Sequence, residues 1–100
     1  MLDLARIVGF DWDDGNGRKN LDKHEVSQKE AEEVFLDPMI LMLEDVKHSQ
    51  AEERFQALGE SASGRRLHVT FTLRDDGTKI RVISARQMHR KERALYDQEA

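Results

Sequence analysis

The sequence contains no cysteine and only one proline, one tryptophan and one tyrosine. The absence of cysteine excludes a disulfide framework and a metal site with cysteine ligands. A chain of 100 residues without such cross-links has to be held together by buried apolar side chains, and this length suits one modest core. We therefore predict a single domain over residues 1–100.

Long hydrophobic runs are also lacking. No segment approaches the ~18 consecutive apolar residues that a membrane span requires. The first ten residues carry Asp3 and Arg6 within an apolar run, which is not typical of a signal peptide. The sequence has 36% charged and 38% hydrophobic residues, and the clear periodicity of the latter argues against disorder. We expect a cytoplasmic protein that does not bind membranes.

Charge of each sign is concentrated in a different part of the sequence. Residues 1–64 contain 7 Lys and Arg against 15 Asp and Glu, whereas residues 65–93 contain 9 against 3. The overall net charge of −4 therefore conceals a basic segment. We predict that a polyanion binds to residues 65–93.

The first third of the sequence predicts a strand and two helices. Val8, Phe10 and Trp12 alternate with polar or small residues, which predicts a strand with one apolar face. A short polar helix is predicted over residues 18–24. Ser27 as N-cap and Glu30 at the third helical position then fit a capping box, which predicts a helix of about three turns ending before Pro38.

The rest of the sequence predicts four strands and a final helix. Strands are predicted at residues 39–43 and 55–60, with a polar loop between them. Alternation is clearest in the next strand, where one face holds Leu67, Val69, Phe71 and Leu73 and the other holds Arg66, His68, Thr70 and Thr72.

Asp76-Gly77 favours a two-residue type I′ hairpin leading into an antiparallel strand at residues 80–83. From residue 87 onward a helix is predicted, with Met88, Ala94 and Leu95 facing inward. The predicted fold is α+β, a small antiparallel sheet in the order β-α-α-β-β-β-β-α with helices packed on it.

Three passages resemble the BrnT family of ribonuclease toxins. They are Phe10-Asp11-Trp12-Asp13 followed by Asn20 and Lys23-His24-x-Val26-Ser27; Glu53-Arg54-Phe55 with Gly64-Arg65; and Ile80-Arg81-Val82-Ile83-Ser84-Ala85-Arg86 followed by Glu92-Arg93 and Tyr96. Together they cover nearly the whole chain in the family's order. The sequence departs from the family at Glu25, where a Gly is usual, and at Gly15-Asn16-Gly17, where an Ala/Lys-rich helix is usual.

The resemblance implies a fold like that of the RelE toxins, with helices on one face of a curved antiparallel sheet. It also implies an endoribonuclease that inhibits translation, with RNA as its substrate and no cofactor. The implied partner is a BrnA-like antitoxin with a ribbon-helix-helix DNA-binding domain, in a complex of two toxins and two antitoxins. We expect the antitoxin to cover the basic segment of residues 65–93.

Metal-independent RNA cleavage needs a base, an acid and cations on the phosphoryl oxygens. Arg81 and Arg86 are candidates for binding phosphate because a guanidinium matches its oxygens bidentately. Their odd spacing would point them to opposite faces of a regular strand unless the strand ended before Arg86. His24 is a candidate acid or base, and Lys23 could hold a phosphate beside it. Alternatively, Arg81 is a solvated sheet residue and Lys23 and His24 only end a helix.

Weaker candidates for RNA binding are Arg54, Arg65, His89, Arg90 and Arg93. A run of charge such as that in the last helix is more often a solvated face, and Glu92 is expected to pair with a nearby Lys or Arg. Tyr96 is expected to pack in the core. His48 and His68 are only weak further candidates for the site.

Two other classes of function have partial support in the sequence. A non-catalytic module could use the same basic surface to bind RNA or an acidic protein, and phosphate binding would weaken steeply with salt. Calcium binding through Asp11, Asp13 and Asp14 is not favoured, because an EF-hand register starting at Asp11 would put Asn16 and Asp22 where Gly and Glu are required.

Overall fold

The computed structural model describes residues 3–13, 15, 24–48 and 52–99. The α+β fold predicted from the sequence is confirmed. The described elements are, in chain order, β1 Gly9–Phe10, α1 Gln28–Val34, β2 Leu41–Glu44, β3 Arg54–Glu60, β4 Arg66–Arg74, β5 Lys79–Gln87 and α2 Arg90–Glu99. Two short 3-10 turns lie at Leu4–Arg6 and Val46–His48. The helix predicted at residues 18–24 lies outside the described residues except for His24.

The five strands form one mixed sheet in the order β1-β5-β4-β3-β2. Strands β2 to β5 are antiparallel neighbours, but β1 runs parallel to β5, with Gly9 opposite Lys79. The prediction of a purely antiparallel sheet is therefore wrong at β1. Alternation along a sequence indicates that a strand forms and does not reveal its partner or direction.

One face of the sheet is apolar, and α1 covers it. This core face contributes Phe55, Ala57, Val69, Phe71, Ile80, Val82 and Ala85, which cluster with Val26, Ala31 and Val34. Phe35 packs edge-on against Phe71, with ring centroids 5.0 Å apart. Of the residues expected to share the apolar face of β1, Phe10 and Trp12 pack against this cluster. Val8 is 79% exposed at the outer edge of the sheet, so its predicted orientation is wrong.

Helix α1 begins as predicted. The Ser27 side chain accepts a hydrogen bond from the Glu30 backbone N–H at 3.1 Å. The Glu30 carboxylate does not complete the capping box, because it binds Arg65 Nη1 at 2.8 Å. The helix has 7 residues, fewer than the three turns predicted, and ends before Pro38.

Arg65 holds the residues that precede α1 in place. Its Nη1 also donates to the Glu25 carbonyl at 2.9 Å, and Glu25 has a left-handed backbone with φ of 56°. A non-glycine residue in this conformation costs about 1 kcal/mol or more, and the hydrogen bond from Arg65 holds it there. The glycine usual in the family would adopt this φ without that cost.

The β4–β5 hairpin forms as predicted, but its turn differs. Arg74 and Lys79 are the last paired residues, so the loop has four residues where two were predicted. Asp75, Asp76 and Gly77 have positive φ values of 53°, 57° and 81°. The Asp-Gly pair therefore lies within a longer left-handed turn.

Helix α2 lies against the opposite face of the sheet. Met88 and Tyr96 cluster there with Leu58 of β3. The two described helices thus lie on different faces, whereas the resemblance implied one face. Strand β5 continues to Gln87, so α2 starts later than predicted, and Tyr96 is buried as expected.

Of the three residues predicted to face inward from the last helix, only Met88 is buried, at 3% exposed. Leu95 is 37% exposed and Ala94 is exposed. The predictions for Ala94 and Leu95 are wrong because the helix begins only at Arg90, which turns Tyr96 toward the sheet.

Gly59 permits the close approach of α1 to β3. A Cβ added at Gly59 would lie 2.7 Å from Val34 Cγ1 and 3.1 Å from the Val34 carbonyl oxygen. The second contact is with backbone, so a rotamer change cannot relieve it. The absence of a side chain at Gly59 is therefore a packing requirement.

We expect Gly59→Ala to lower the free energy of unfolding by about 1–3 kcal/mol, because the added methyl overpacks the interface of α1 and β3. Urea denaturation measures the change. Gly9→Ala is the matched control, since nothing lies within 4 Å of a Cβ there. Equal stability of Gly59→Ala and Gly9→Ala would contradict the packing requirement.

Candidate functional site

A β-bulge in β5 decides which of its side chains share a face. Thr70 of β4 is opposite Ser84, whereas the next residue, Phe71, is opposite Val82. Ile83 is the extra residue, and it interrupts the alternation of β5. Arg81, Ser84 and Arg86 consequently lie on one face although Arg81 and Arg86 are separated by an odd number of positions. The strand does not end before Arg86, so the bulge alone brings both arginines to the same face.

The face that carries these arginines is polar, and we call it the polar face. Across β3, β4 and β5 it holds three rows of opposed residues: Leu58, His68 and Arg86; Gln56, Thr70 and Ser84; and Arg54, Thr72 and Arg81. A cavity of about 340 Å³ opens on it, lined by Asp45, Arg54, Gln56, His68, Thr70, Ile83, Ser84, Arg86 and Glu92. Helix α2 closes one end of the cavity through Glu92. The site thus combines guanidinium groups with hydroxyl, amide, imidazole and carboxylate groups.

Arg86 is held at this end of the cavity by Glu92. Nη1 and Nη2 of Arg86 donate to the two carboxylate oxygens of Glu92 at 2.8 and 2.9 Å. Glu92 Oε1 also accepts from the His89 backbone N–H at 2.8 Å, which caps the start of α2. Burial disfavours ionisation of Glu92, but the hydrogen bonds from Arg86 and His89 outweigh it and lower its pKa to about 2. The expected pairing of Glu92 with a nearby arginine is confirmed.

Arg81 lies farther along the polar face. Its Nη2 contacts Asp13 at 2.5 Å, and its Nη1 is 3.8 Å from Asp11. At a rise of about 3.3 Å per residue, Arg81 and Arg86 have Cα atoms roughly 15 Å apart. The two predicted site residues therefore occupy the same face, but only Arg86 lines the cavity. Asp11 and Asp13, two of the three residues considered for calcium, are ion-pair partners of Arg81.

His68 lies beside Arg86 at the centre of the site. It is 5% exposed, and its Nε2 is 3.7 Å from Glu92 Oε2. Its buried Nδ1 atom has no hydrogen-bond partner among the residues that the structure describes. Burial, followed by the neighbouring Arg86 guanidinium, lowers the pKa of His68 below the usual 6.5, while Glu92 and the backbone of His68 itself partly oppose this effect. His68 is therefore neutral near pH 7.

Comparison with protein families identifies the chain. A family model described as the ribonuclease toxin, BrnT, of type II toxin-antitoxin systems matches residues 12–92. The chain belongs to the BrnT family. The match includes every residue that lines the polar-face cavity. A search of curated proteins finds no match.

Membership of the BrnT family fixes the broad class of function. The family consists of ribonuclease toxins of type II toxin-antitoxin systems, which implies RNA as the target and an antitoxin as the partner. No helix in the described ranges is both long enough and apolar enough to cross a membrane. The described residues also contain no group of three or more His, Asp and Glu side chains placed to hold a metal ion.

The other residues predicted for the BrnT-family site fall into three groups. Lys23 lies outside the described residues, and His24 is half-buried next to that segment. Arg54 lines the cavity. Arg65 is a structural residue of the α1 entry, as described above, and His48 lies in the 3-10 turn after β2.

The basic residues at the start of α2 contribute less to the cavity than their charge predicts. Arg93 Nη1 donates to the Met88 carbonyl at 3.0 Å. His89 and Arg90 are exposed. Of these residues, His89 adjoins the site through its backbone contact with Glu92.

Sequence reasoning undervalued His68 and did not name Asp45, Gln56, Thr70 and Ser84 as site residues. Their types are polar and common, and only the register of three strands brings them together. An available signal was the polar set on one face of the predicted alternation in β4, which includes His68 and Thr70.

A hydrogen bond at the far end of α2 fixes the position of this helix over the polar face. Tyr96 donates its hydroxyl proton to Asp37 Oδ2 at 2.5 Å, and the Glu60 backbone N–H donates to the same oxygen at 2.8 Å. Burial disfavours ionisation of Asp37, but the hydrogen bonds from Tyr96, Met39 and Glu60 together lower its pKa. Burial and the Asp37 carboxylate raise the pKa of Tyr96 to about 12.

We expect Tyr96→Phe to lower the free energy of unfolding at pH 7 by about 1–3 kcal/mol, since a hydrogen bond to a charged group is lost. Because the folded pKa of Asp37 lies below 3.8, this contribution is full at higher pH and is lost as pH falls through the folded value. Urea titrations at pH 7 and pH 3 would measure a smaller difference at pH 3. The control Asp97→Asn removes an exposed ion pair to Arg66 and should change stability by less than about 1 kcal/mol.

Proposed function

We propose that this chain is a metal-independent endoribonuclease that binds RNA along the polar face and cleaves it by attack of a ribose 2′-hydroxyl on the adjacent phosphate. One observation carries the proposal. The bulge at Ile83 aligns Arg81 and Arg86 on a single face, with Arg54 at the cavity between β3 and β5. Guanidinium groups at fixed positions can bind the phosphate and stabilise the charge that develops on its oxygens.

Arg86 has donors left for a phosphate. Of its five N–H groups, the described residues engage three, two through Glu92 and one through the Gln87 carbonyl. The side chain is 25% exposed. A phosphate oxygen can therefore approach Arg86 while Glu92 still orients it.

Arg81 and the segment before α1 supply the other proposed roles. Arg81 would bind a second phosphate of the same strand after exchanging its contact with Asp13. Lys23 and His24 remain candidates for holding a phosphate and for proton transfer, respectively. The segment that ends at His24 follows Asp13 in the sequence, and Asp13 contacts Arg81. His89, Arg90 and Arg93 would add weaker attraction for RNA around the cavity.

In the cell, this activity would inhibit translation by cutting RNA, and a dedicated antitoxin would neutralise it. We propose a BrnA-like antitoxin with a ribbon-helix-helix DNA-binding domain, joined to the toxin in a complex of two toxins and two antitoxins in the cytoplasm. Family membership supports a partner of this class. An antitoxin that places acidic and apolar side chains on the polar face would block RNA directly.

We expect the purified chain to cleave RNA in the presence of EDTA, and Arg86→Ala to lower the cleavage rate constant by about 10²- to 10³-fold. Arg86→Lys keeps the charge and loses the bidentate geometry, so it should be intermediate. Arg6→Ala is the matched control because Arg6 is an exposed arginine in the N-terminal 3-10 turn. Thermal melting of each variant separates loss of the site from loss of the fold.

Two outcomes would count against the proposal. Cleavage that stops in EDTA and returns with magnesium would show that the reaction needs a metal. RNA binding without any cleavage would favour the second candidate, a non-catalytic binding module. Arg81 and Arg86 already contact carboxylates. If RNA can neither displace nor share these contacts, the non-catalytic binding module is the better candidate.

We expect the antitoxin and RNA to compete for the polar face. Arg54→Glu should weaken binding of the proposed BrnA-like antitoxin by at least about tenfold, because it places a carboxylate where the antitoxin would place its own. Titration calorimetry measures the affinity. Arg6→Glu is the control, because Arg6 lies in the N-terminal 3-10 turn and is distant in sequence from Arg54. If Arg54→Glu abolishes cleavage and leaves antitoxin affinity unchanged, the two partners use different surfaces.

A further inference from the structure

His68 has an unusual environment for a structural histidine. It is almost completely buried, yet its Nδ1 atom has no hydrogen-bond partner in the part of the chain that the structure describes. A buried polar atom without a partner destabilises the folded state, so such atoms are rare and often functional. His68 lines the same cavity as Arg86 and Glu92.

We propose, on the basis of the ribonuclease activity proposed above, that His68 accepts the proton of the attacking 2′-hydroxyl through Nδ1 and that Glu92 positions its imidazole ring. His68 Nε2 is 3.7 Å from Glu92 Oε2. This is longer than a hydrogen bond, and such distances commonly shorten when substrate binds.

The carboxylate of Glu92 selects the tautomer that this role requires. A carboxylate beside Nε2 favours the proton on that nitrogen, which leaves the lone pair on Nδ1. Glu92 also stabilises the imidazolium that forms when Nδ1 takes up a proton. Since Glu92 binds Arg86 as well, one carboxylate aligns the proton acceptor with the cation that would hold the phosphate.

The charges around His68 keep it neutral and therefore able to accept a proton. Arg86 faces it from β5, and Glu92 and His89 face it from the start of α2. Asp45 and Arg54 line the same cavity. Burial and Arg86 lower the pKa of His68, and Glu92 opposes this only in part. A histidine that is deprotonated near pH 7 can act as a base without prior loss of a proton.

The proton and bond changes balance without a further reactant. Nδ1 of His68 takes the proton from the 2′-hydroxyl, and the 2′-oxygen forms a bond to phosphorus. The bond between phosphorus and the 5′-oxygen breaks, and that oxygen takes a proton from water. The products are a 2′,3′-cyclic phosphate and a 5′-hydroxyl, and His68 returns its proton to solvent.

The cavity has room for a ribose. Its volume of about 340 Å³ is many times the ~30 Å³ that a water molecule occupies in the liquid. Because Nδ1 has no solvent contact in the free protein, side chains that line the cavity have to move before a ribose hydroxyl can reach it. We therefore expect the rate to depend on the mobility of Arg86 as well as on the titration of His68.

Single-turnover cleavage of an RNA oligonucleotide across pH 5–8 tests the role of His68. For the unchanged protein, we expect the rate to rise with pH to the pKa of His68, below 6.5, and to level off above it. His68→Gln should lose about 10²- to 10⁴-fold in rate and lose this inflection. Its affinity for a fully 2′-O-methylated RNA of the same sequence, which cannot react, should stay within about threefold.

Glu92→Gln tests the positioning role. Glutamine retains the cap of α2 and removes the charge that stabilises the imidazolium. We expect a loss of about 10- to 100-fold in the rate constant and an inflection shifted to lower pH, with little change in affinity for the methylated RNA. Asp97→Asn is the control, because it removes an exposed carboxylate from the same helix and should leave the inflection in place.

A substrate with sulfur in place of the 5′-bridging oxygen separates proton acceptance from proton donation. A thiolate leaves without a proton, so this substrate would restore activity to a variant that lacks the proton donor and not to one that lacks the acceptor. Rescue of His68→Gln would overturn the assignment. So would an unchanged rate and pH profile in His68→Gln.

The experiments distinguish absence of ribonuclease activity from a wrong assignment of His68. If the unchanged protein cleaves no RNA at any pH, the proposed function fails, whereas cleavage that is indifferent to His68 overturns only its assignment. Should His68→Gln not fold, Glu92→Gln still decides, because a rate constant and pH profile equal to those of the unchanged protein contradict a histidine acceptor that Glu92 positions.

Discussion

The single extra residue at Ile83 is the constraint on which the polar face depends. In a regular strand, residues five positions apart point to opposite faces, and one of Arg81 and Arg86 would enter the apolar core. The bulge changes the register once, so Ile80, Val82 and Ala85 remain in the core while both arginines stay on the other face. The core and the site are therefore determined by the same irregularity, and neither could shift its register alone.

Electrostatics on the polar face are governed by carboxylates that lie beside each key cation. Glu92 holds Arg86, and Asp13 holds Arg81. These contacts limit the repulsion of a basic surface and fix guanidinium groups that would otherwise sample many rotamers. If RNA binds here as proposed, these contacts also limit its affinity, since RNA would have to share or replace a carboxylate that is already in place. The same would hold for an acidic antitoxin, so the proposed competition between the two partners would depend on the same side chains.

Helix α2 connects the stability of the domain to the organisation of the site. At its start, Glu92 caps the helix, binds Arg86 and lies next to His68. Near its end, Tyr96 is fastened to Asp37 beside the end of α1. Substitutions that disrupt either end of the helix would destabilise the closed end of the cavity. For this reason, variants of site residues have to be compared with variants that affect only the helix.

Local sequence patterns were enough to predict the α+β class, the N-cap at Ser27, the hairpin after β4 and the resemblance to BrnT toxins, because these depend on local periodicity, capping chemistry and short motifs. They did not predict the parallel pairing of β1, the left-handed four-residue turn or the exposure of Leu95. Those features depend on which elements meet in space. The site follows the same division: Arg86 was recognisable from its motif, whereas only the tertiary structure placed His68 beside it. Strand register and one bulge bring those residues together, and neither is encoded in the spacing of any single segment.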